Sequence, residues 1–194
     1  MKKILFAAVC ILLCLCSLSC ARKLKMTDEE ALEVSKNLLP KTADINEIFF
    51  GAGLEPDKSG ESDGNTVYFP VKKGCGFDSV NSIKKYAEEV FSDNYLSSVY
   101  ETVFNGTTIE GDNGIIGSSS PRYKELENGL NVNVKYASFN IRKIAEVKEA
   151  TVTKRTSTFV SVLCKCVSVD GEEFLGEFAF TKQASVWKVD GPTY

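Results

Sequence analysis

The sequence predicts an α+β domain in which N-terminal helices pack on a C-terminal antiparallel meander sheet of about four to six strands. Two observations lead to this fold class. Apolar residues recur at helical spacing between residues 27 and 104, and they alternate with polar residues at strand spacing after Tyr123. Helices and strands that are segregated along the chain in this way are typical of α+β proteins.

The helices of the front half are marked by their first residues. The motif Thr27-Asp28-Glu29-Glu30 has the spacing of a capping box, and Pro40 ends the helix that follows it. A short second helix is predicted over residues 44–50. A further helical pattern begins at Asp78-Ser79 and restarts at Ser92-Asp93, which predicts either one kinked helix or two helices at an angle.

Loops and strands complete the order of elements. Gly, Ser, Asn, Asp and Pro cluster over residues 51–65 and 105–121, and this composition predicts two long loops. Residues 66–72 are typical of an edge strand because they include Pro70. Asn128-Gly129 predicts a two-residue hairpin turn. The remaining alternating segments predict strands over residues 147–154, 158–169, 172–182 and 186–189.

The first 20 residues resemble a bacterial lipoprotein signal. Lys2 and Lys3 precede an uncharged apolar run over residues 4–18, and the small residue Ser19 precedes Cys20. Ser17 departs from the pattern, because Leu is usual at the third position before the cysteine. Plain secretion and an uncleaved membrane anchor are the alternatives, and all three place the domain outside the cytoplasm.

The resemblance implies cleavage after Ser19 and lipidation of Cys20. Residues 20–26 would then form a lipidated tether, and residues 27–194 a single globular domain. We therefore expect an extracytoplasmic lipoprotein that is anchored to the membrane through its N-terminal lipid. Loss of residues 1–19 removes two lysines and no acid, so the net charge of −3 becomes −5.

Composition excludes several classes of function. An acidic domain argues against nucleic acid as a partner. The chain has no histidine, which rules out Ser-His-Asp and Cys-His catalysis and every histidine-containing metal site. We expect a monomer that is not an enzyme and holds no metal or other cofactor. Cys75, Cys164 and Cys166 are too few for an all-cysteine structural zinc site; burial as small apolar residues is favoured, and a disulfide from Cys75 is left open.

Several segments are similar to the secreted inhibitors of bacterial DL-endopeptidases, the IseA type. They are the signal-like start, SIKKYAEEVFS at residues 82–92, the following residues 95–100, and a final strand with the sequence VWKVDGPTY at residues 186–194. The order of elements agrees over residues 27–194. This resemblance implies a non-enzymatic protein that inhibits cell-wall peptidases with a catalytic cysteine.

An inhibitor of this kind needs a rigid surface that fits an enzyme cleft rather than catalytic residues. The candidate contact elements are the two predicted loops. Their acids can complement a basic rim or a catalytic imidazolium of the partner, and they are Asp57, Glu61, Asp63, Glu110 and Asp112. The alternative is that these loops only keep the protein soluble.

A second hypothesis is an envelope protein that carries a small ligand or a peptide. Its pocket would lie between the helices and the sheet, as in folds similar to the nuclear transport factor or cystatin type, and Tyr86, Tyr95 and Tyr100 would line it. With Asp93 the same tyrosines suggest a third hypothesis, a proton-transfer enzyme. The alternative for all three tyrosines is a place in the core with hydroxyls that reach its rim.

Overall fold

The computed structural model describes residues 25–59, 67–111 and 114–194. The signal-like start and Cys20 lie outside the described residues. Within these ranges no helix is long and apolar enough to cross a membrane. The front half contains the α-helices α1 (Asp28–Leu38), α2 (Thr42–Phe49), α3 (Val80–Glu88) and α4 (Asp93–Tyr100), and α4 continues into a π-helical turn (Glu101–Asn105).

The described strands form three antiparallel groups. A four-stranded meander has the order β6-β7-β8-β9, a three-stranded sheet has the order β1-β5-β4, and β2 pairs with β3 alone. The bounds are β1 Tyr68–Pro70, β2 Thr107–Gly111, β3 Gly114–Ser119, β4 Tyr123–Leu126, β5 Gly129–Asn133, β6 Ile144–Arg155, β7 Phe159–Ser168, β8 Glu173–Gln183 and β9 Val186–Val189. The predicted α+β class, with helices first and a four-stranded C-terminal meander, is confirmed.

Helix α1 lies against the long edge strand β6. The predicted capping box is present: the Glu30 N–H donates to Thr27 Oγ1 at 3.2 Å, and the Thr27 N–H donates to Glu30 Oε2 at 3.0 Å. The Val152 N–H donates to Asp28 Oδ1 at 2.8 Å, which joins the first turn of the helix to β6. Ala31 and Leu38 are buried against the sheet, so both polar and apolar contacts fix this helix.

The cysteines of the described chain are free thiols. Cys164 and Cys166 lie on the inner face of β7 and are fully buried, and Cys75 is partly buried in the loop before α3. The disulfide that the sequence left open is therefore not formed in this structure. Cys164 and Cys166 serve as small apolar residues of the core.

Two separate helices form where the sequence allowed one kinked helix. The break lies between α3 and α4, and strand β9 pairs with it in parallel. The Ser92 N–H donates to the Val189 carbonyl, and the Val189 N–H donates to the Val90 carbonyl, both at 2.9 Å. The Ser92 hydroxyl also caps α4 by accepting from the Tyr95 N–H at 3.1 Å. The helix is interrupted here because backbone N–H and carbonyl groups of the break form hydrogen bonds with β9.

The hairpin between β4 and β5 differs by one residue from the predicted turn. Leu126 pairs with Gly129, so Glu127 and Asn128 are the central residues of the turn. Gly129 follows them with φ +101°. A type I turn followed by a glycine with positive φ gives this geometry. Asn-Gly occurs in this turn and also in the predicted two-residue turn, so the two residues alone do not distinguish the two turns.

The turn between β8 and β9 offers a stabilising substitution. Ala184 and Ser185 both adopt positive φ, +45° and +71°, in a two-residue connection between the paired residues Gln183 and Val186. Residues with a Cβ are strained in this conformation, which Asn-Gly adopts readily. We expect Ala184→Asn with Ser185→Gly to raise the free energy of unfolding by about 1 kcal/mol. Urea denaturation measures the change, and an unchanged or lower value would contradict this expectation.

Candidate binding surface

The β2–β3 hairpin pairs with no other strand among the described residues. Its ladder runs from Thr107 opposite Ser119 to Gly111 opposite Gly114, with a register shift after Ile109. The prediction of a loop over residues 105–121 is therefore wrong for most of that range. Its glycines and serines suggested a loop, but β-branched residues also occur there (Thr107, Thr108, Ile109, Ile115 and Ile116) and favour strands.

The base of the hairpin is fixed to the domain. The hydroxyls of Thr107 and Ser119 are 2.7 Å apart, and the Thr107 N–H donates to Ser119 Oγ at 3.3 Å. Next to this pair, the Arg122 N–H donates to the Val103 carbonyl at 2.7 Å. Val103 is fully buried. The chain on either side of the hairpin, at Val103 and Arg122, is therefore held by the core.

A groove of about 550 Å³ lies at the base of the hairpin, and we call it the root groove. Hydroxyl, amide and ammonium groups on its wall belong to Thr102, Ser119, Ser120, Asn133 and Lys135. Aromatic rings belong to Phe50, Tyr136, Phe139 and Tyr194. Phe139 is 62% exposed, and the rings of Phe50 and Tyr194 are 5.0 Å apart. Aromatic faces beside a few polar groups are typical of binding sites.

A buried cation lies beneath one wall of the root groove. The guanidinium carbon of Arg122 is 5.0 Å from the centre of the Tyr136 ring, and the residue is only 2% exposed. Its Nη2 donates to the Gly51 carbonyl at 2.6 Å. Its Nε and Nη1 are buried and have no hydrogen-bond partner among the described residues. Buried charged groups are normally paired, so this one is exceptional.

The nearby carboxylate of Glu47 is engaged elsewhere. Glu47 Oε1 accepts from the Ala52 N–H at 2.7 Å, and Oε2 is 3.2 Å from Lys143 Nζ. The hydrogen bond from Ala52 lowers the pKa of Glu47 most, and Lys143 and the more distant Arg122 add to this effect. Glu47 thus contributes to the potential around Arg122 without forming an ion pair with it.

Of the acids that the sequence predicts as contacts, only Asp57 has a side chain that the structure describes, and it does not line the root groove. Asp57 lies in a separate shallow groove with Lys72, and its Oδ1 accepts from the Ser59 N–H at 3.0 Å. Hydrogen bonds from Ser59 lower the pKa of the Asp57 carboxyl. Glu110 belongs to β2. The other three, Glu61, Asp63 and Asp112, lie outside the described residues.

The three tyrosines of the alternative pocket lie in aromatic packing rather than in the root groove. Tyr86 packs on Phe77, Tyr95 on Phe91, and Tyr100 between Phe49 and Phe104, at ring distances of 5.1 to 6.3 Å. The Tyr100 hydroxyl donates to the Lys84 carbonyl at 3.2 Å. Burial raises the pKa of all three phenols.

Two other tyrosines, Tyr136 and Tyr194, line the root groove instead. Sequence reasoning missed them, although Lys135-Tyr136 and Phe139 stand in a stretch with no periodic pattern, which predicts an exposed loop. Such loops often carry binding residues. The cation and the two aromatic residues in this stretch are the sequence signal that could have indicated a binding surface here.

No family model matches the chain, and no curated protein is significantly similar to it. In the described part of the chain, no group of three or more Cys, Asp or Glu residues is arranged to hold a metal ion. A proposal for the function must therefore be based on the signal-like start, the resemblance of short segments and the geometry of the hairpin with its groove.

Proposed function

We propose that this protein is a lipid-anchored extracytoplasmic binding protein that restrains a peptidoglycan DL-endopeptidase. The observation that supports this most is the β2–β3 hairpin, which is paired only with itself among the described strands and stands on a fixed base beside the root groove. A protein inhibitor presents such a preorganised element to an enzyme cleft, because a rigid element loses little entropy on binding.

The root groove extends the surface that such a partner would contact. Phe139 is 62% exposed although its N–H donates to the Phe50 carbonyl at 2.8 Å. An exposed aromatic side chain on a fixed backbone is a typical anchor residue of a protein interface. Among the described residues the hairpin has a strand edge that pairs with no other strand, and the groove adds an apolar anchor; peptide and protein partners use both features.

The proposed anchor determines where the protein acts. With a lipid on Cys20, the domain would stay within a short tether of the membrane, in the compartment where cell-wall peptidases work. The basic residues Arg22, Lys23 and Lys25 follow the cysteine directly. Next to a lipid they would meet anionic headgroups, which strengthens a single-site anchor.

The test measures release of cell-wall peptides by a cysteine-dependent DL-endopeptidase. The mature chain with Cys20→Ser, which cannot be lipidated, is added in increasing amounts. We expect stoichiometric inhibition with a dissociation constant below about 1 μM, as for protein complexes of standard size. A cell-wall amidase without a catalytic cysteine is the matched control and should keep its full rate. Undiminished peptide release together with no detectable complex would contradict the proposal.

A second candidate function is transport or capture of a small ligand or peptide in the root groove. Its volume of about 550 Å³ lies within the range of ligand-binding sites. A ligand of this kind would raise the temperature of unfolding of the mature chain without any effect on a peptidase. Inhibition of the peptidase at equal concentrations of both proteins would favour the first function instead.

A further inference from the structure

We infer that the root groove binds a carboxylate of an acidic polypeptide segment, with Lys135 at its wall and Arg122 beneath it as the recognising cations. The inference rests on the proposed binding function and names the chemistry of the group that the surface accepts. It depends on three features of the described residues: a buried cation without an ion pair among them, an exposed cation without an ion pair among them, and a described groove lining that includes no Asp or Glu side chain.

The first feature is the incomplete pairing of Arg122. A guanidinium group has five N–H donors, and those on Nε and Nη1 have no acceptor among the described residues. The contact of Nη2 with the Gly51 carbonyl explains why the side chain lies at the end of α2, where carbonyl groups favour a cation. This contact does not explain why Nε and Nη1 are buried without an acceptor among the described residues. A charge that is buried in this state attracts an anion to the nearest accessible surface, because the interior screens it weakly.

One lining side chain, that of Tyr136, lies beside the Arg122 guanidinium. Its ring centre is 5.0 Å from the Arg122 guanidinium carbon, and the same residue lines the root groove. An anion that is held beside Tyr136 would therefore lie one ring away from the buried charge. Tyr136 is half-buried.

The second cation, Lys135, is exposed and lies on the wall of the groove. It has no ion pair among the described residues, in contrast to Lys143, which is paired with Glu47. The other polar groups that line the groove are hydroxyls and an amide, from Thr102, Ser119, Ser120 and Asn133. Thr102 and Asn133 already donate to the Ser98 and Pro121 carbonyls, so the Lys135 ammonium is the main donor for a carboxylate, with which it forms charge-assisted hydrogen bonds.

The aromatic lining indicates what accompanies the carboxylate. Phe139 and Tyr194 are exposed and offer ring faces within the same groove, where Tyr194 packs on the buried Phe50. A free inorganic anion would leave these faces exposed, whereas a peptide with an aromatic residue next to an acidic one would cover them. The inferred ligand is therefore an acidic peptide segment, either with a side-chain carboxylate or with its own C-terminal carboxylate.

Three dipeptides distinguish these sources. The probes are acetyl-Phe-Glu-amide, acetyl-Phe-Gln-amide and acetyl-Phe-Gln with a free C-terminal carboxylate, each titrated into the ¹⁵N-labelled mature chain with Cys20→Ser. We expect saturable shifts at the amides of Ser120, Lys135 and Tyr136. At least one probe with a carboxylate should bind about tenfold tighter than the uncharged one, a ratio that one charge-assisted hydrogen bond supplies. The tighter of the two identifies the source.

Substitutions assign the cations. Lys135→Gln should weaken the charged probe by at least fivefold and leave the uncharged probe unchanged, and Lys36→Gln, an exposed lysine on α1, is the matched control. Arg122→Met should abolish the preference for a carboxylate; if that variant fails to fold, Lys135→Gln decides alone. Equal affinity for charged and uncharged probes, or shifts that Lys135→Gln leaves unchanged, would overturn the inference. Peptidase inhibition by a chain that binds no dipeptide would overturn this inference and leave the proposed function intact.

Discussion

Gly53→Ala is expected to lower the free energy of unfolding by about 3–5 kcal/mol, the largest loss of stability from a single methyl group that we predict for this protein. Gly53 has φ +79°, a conformation that costs a residue with a Cβ about 1–2 kcal/mol. The added Cβ would overlap Arg122 Nη2 and lie 2.9 Å from the Tyr123 hydroxyl. Displacement of these two groups accounts for the rest of the expected loss in the free energy of unfolding.

Both groups make buried hydrogen bonds that hold the chain after α2. The Tyr123 hydroxyl donates to the Ile48 carbonyl and accepts from the Leu54 N–H, each at 2.9 Å. Arg122 Nη2 donates to the Gly51 carbonyl. Each buried partner that loses its hydrogen bond costs about 1–3 kcal/mol, and neither side chain can shift without loosening the turn over residues 51–54.

Urea denaturation of the unaltered protein and of Gly53→Ala measures the loss in the free energy of unfolding. The matched control is Gly171→Ala, because Gly171 has a similar φ of +83° and no atom within 4 Å of the added Cβ. It should lose only the backbone term of about 1–2 kcal/mol. If both variants lost the same amount, the contact of Gly53 with Arg122 and Tyr123 would not be the cause.

Gly106→Ala is expected to reduce the proposed inhibition of the peptidase at least tenfold while most of the fold persists. Gly106 precedes the hairpin with φ +78°, and an added Cβ would overlap the Ser119 carbonyl oxygen and lie 3.1 Å from the Pro121 ring. The carbonyl belongs to the opposite strand at the base of the hairpin, so one strand must move away from the other. A preorganised element that becomes loose binds more weakly, because ordering it costs free energy on association.

Two measurements separate this effect from general unfolding. Hydrogen exchange should become faster at the amides of β2 and β3 and stay slow in the meander, since stability is lost locally. The dose of protein that halves peptide release should rise at least tenfold for Gly106→Ala and stay within twofold for Gly171→Ala. Full inhibition by a chain whose hairpin amides exchange quickly would contradict the role of the hairpin.

Much of the fold can be predicted from local patterns in the sequence. The capping box at Thr27, the meander strands and the restart of the helical pattern at Ser92 are each determined by residues close together in sequence. The hairpin of β2 and β3 was missed because two opposite tendencies share one segment. Glycine and serine favour a loop, threonine and isoleucine favour strands, and only cross-strand pairing decides between them.

The candidate binding surface is much harder to predict from the sequence. The root groove joins Phe50 at the end of α2, Ser119 in β3, Tyr136 in the loop after β5, and Tyr194. These residues are far apart in sequence and share no motif. Arg122 appears in the sequence as an ordinary surface cation beside a strand, and only the surrounding chain shows it as buried and incompletely paired.

The pairing of β9 with the break between α3 and α4 has a consequence for how the chain folds. Ser92 and Asp190 are hydrogen-bonded although 98 residues separate them, and the Asn46 amide reaches Thr193 across 147 residues. Contacts of such long range are slow to form because a large loop must close first. We expect the angle between the two helices to be set late, after residues 186–193 have docked. A chain that is exported before it folds would keep these helices unjoined until the final strand has crossed the membrane.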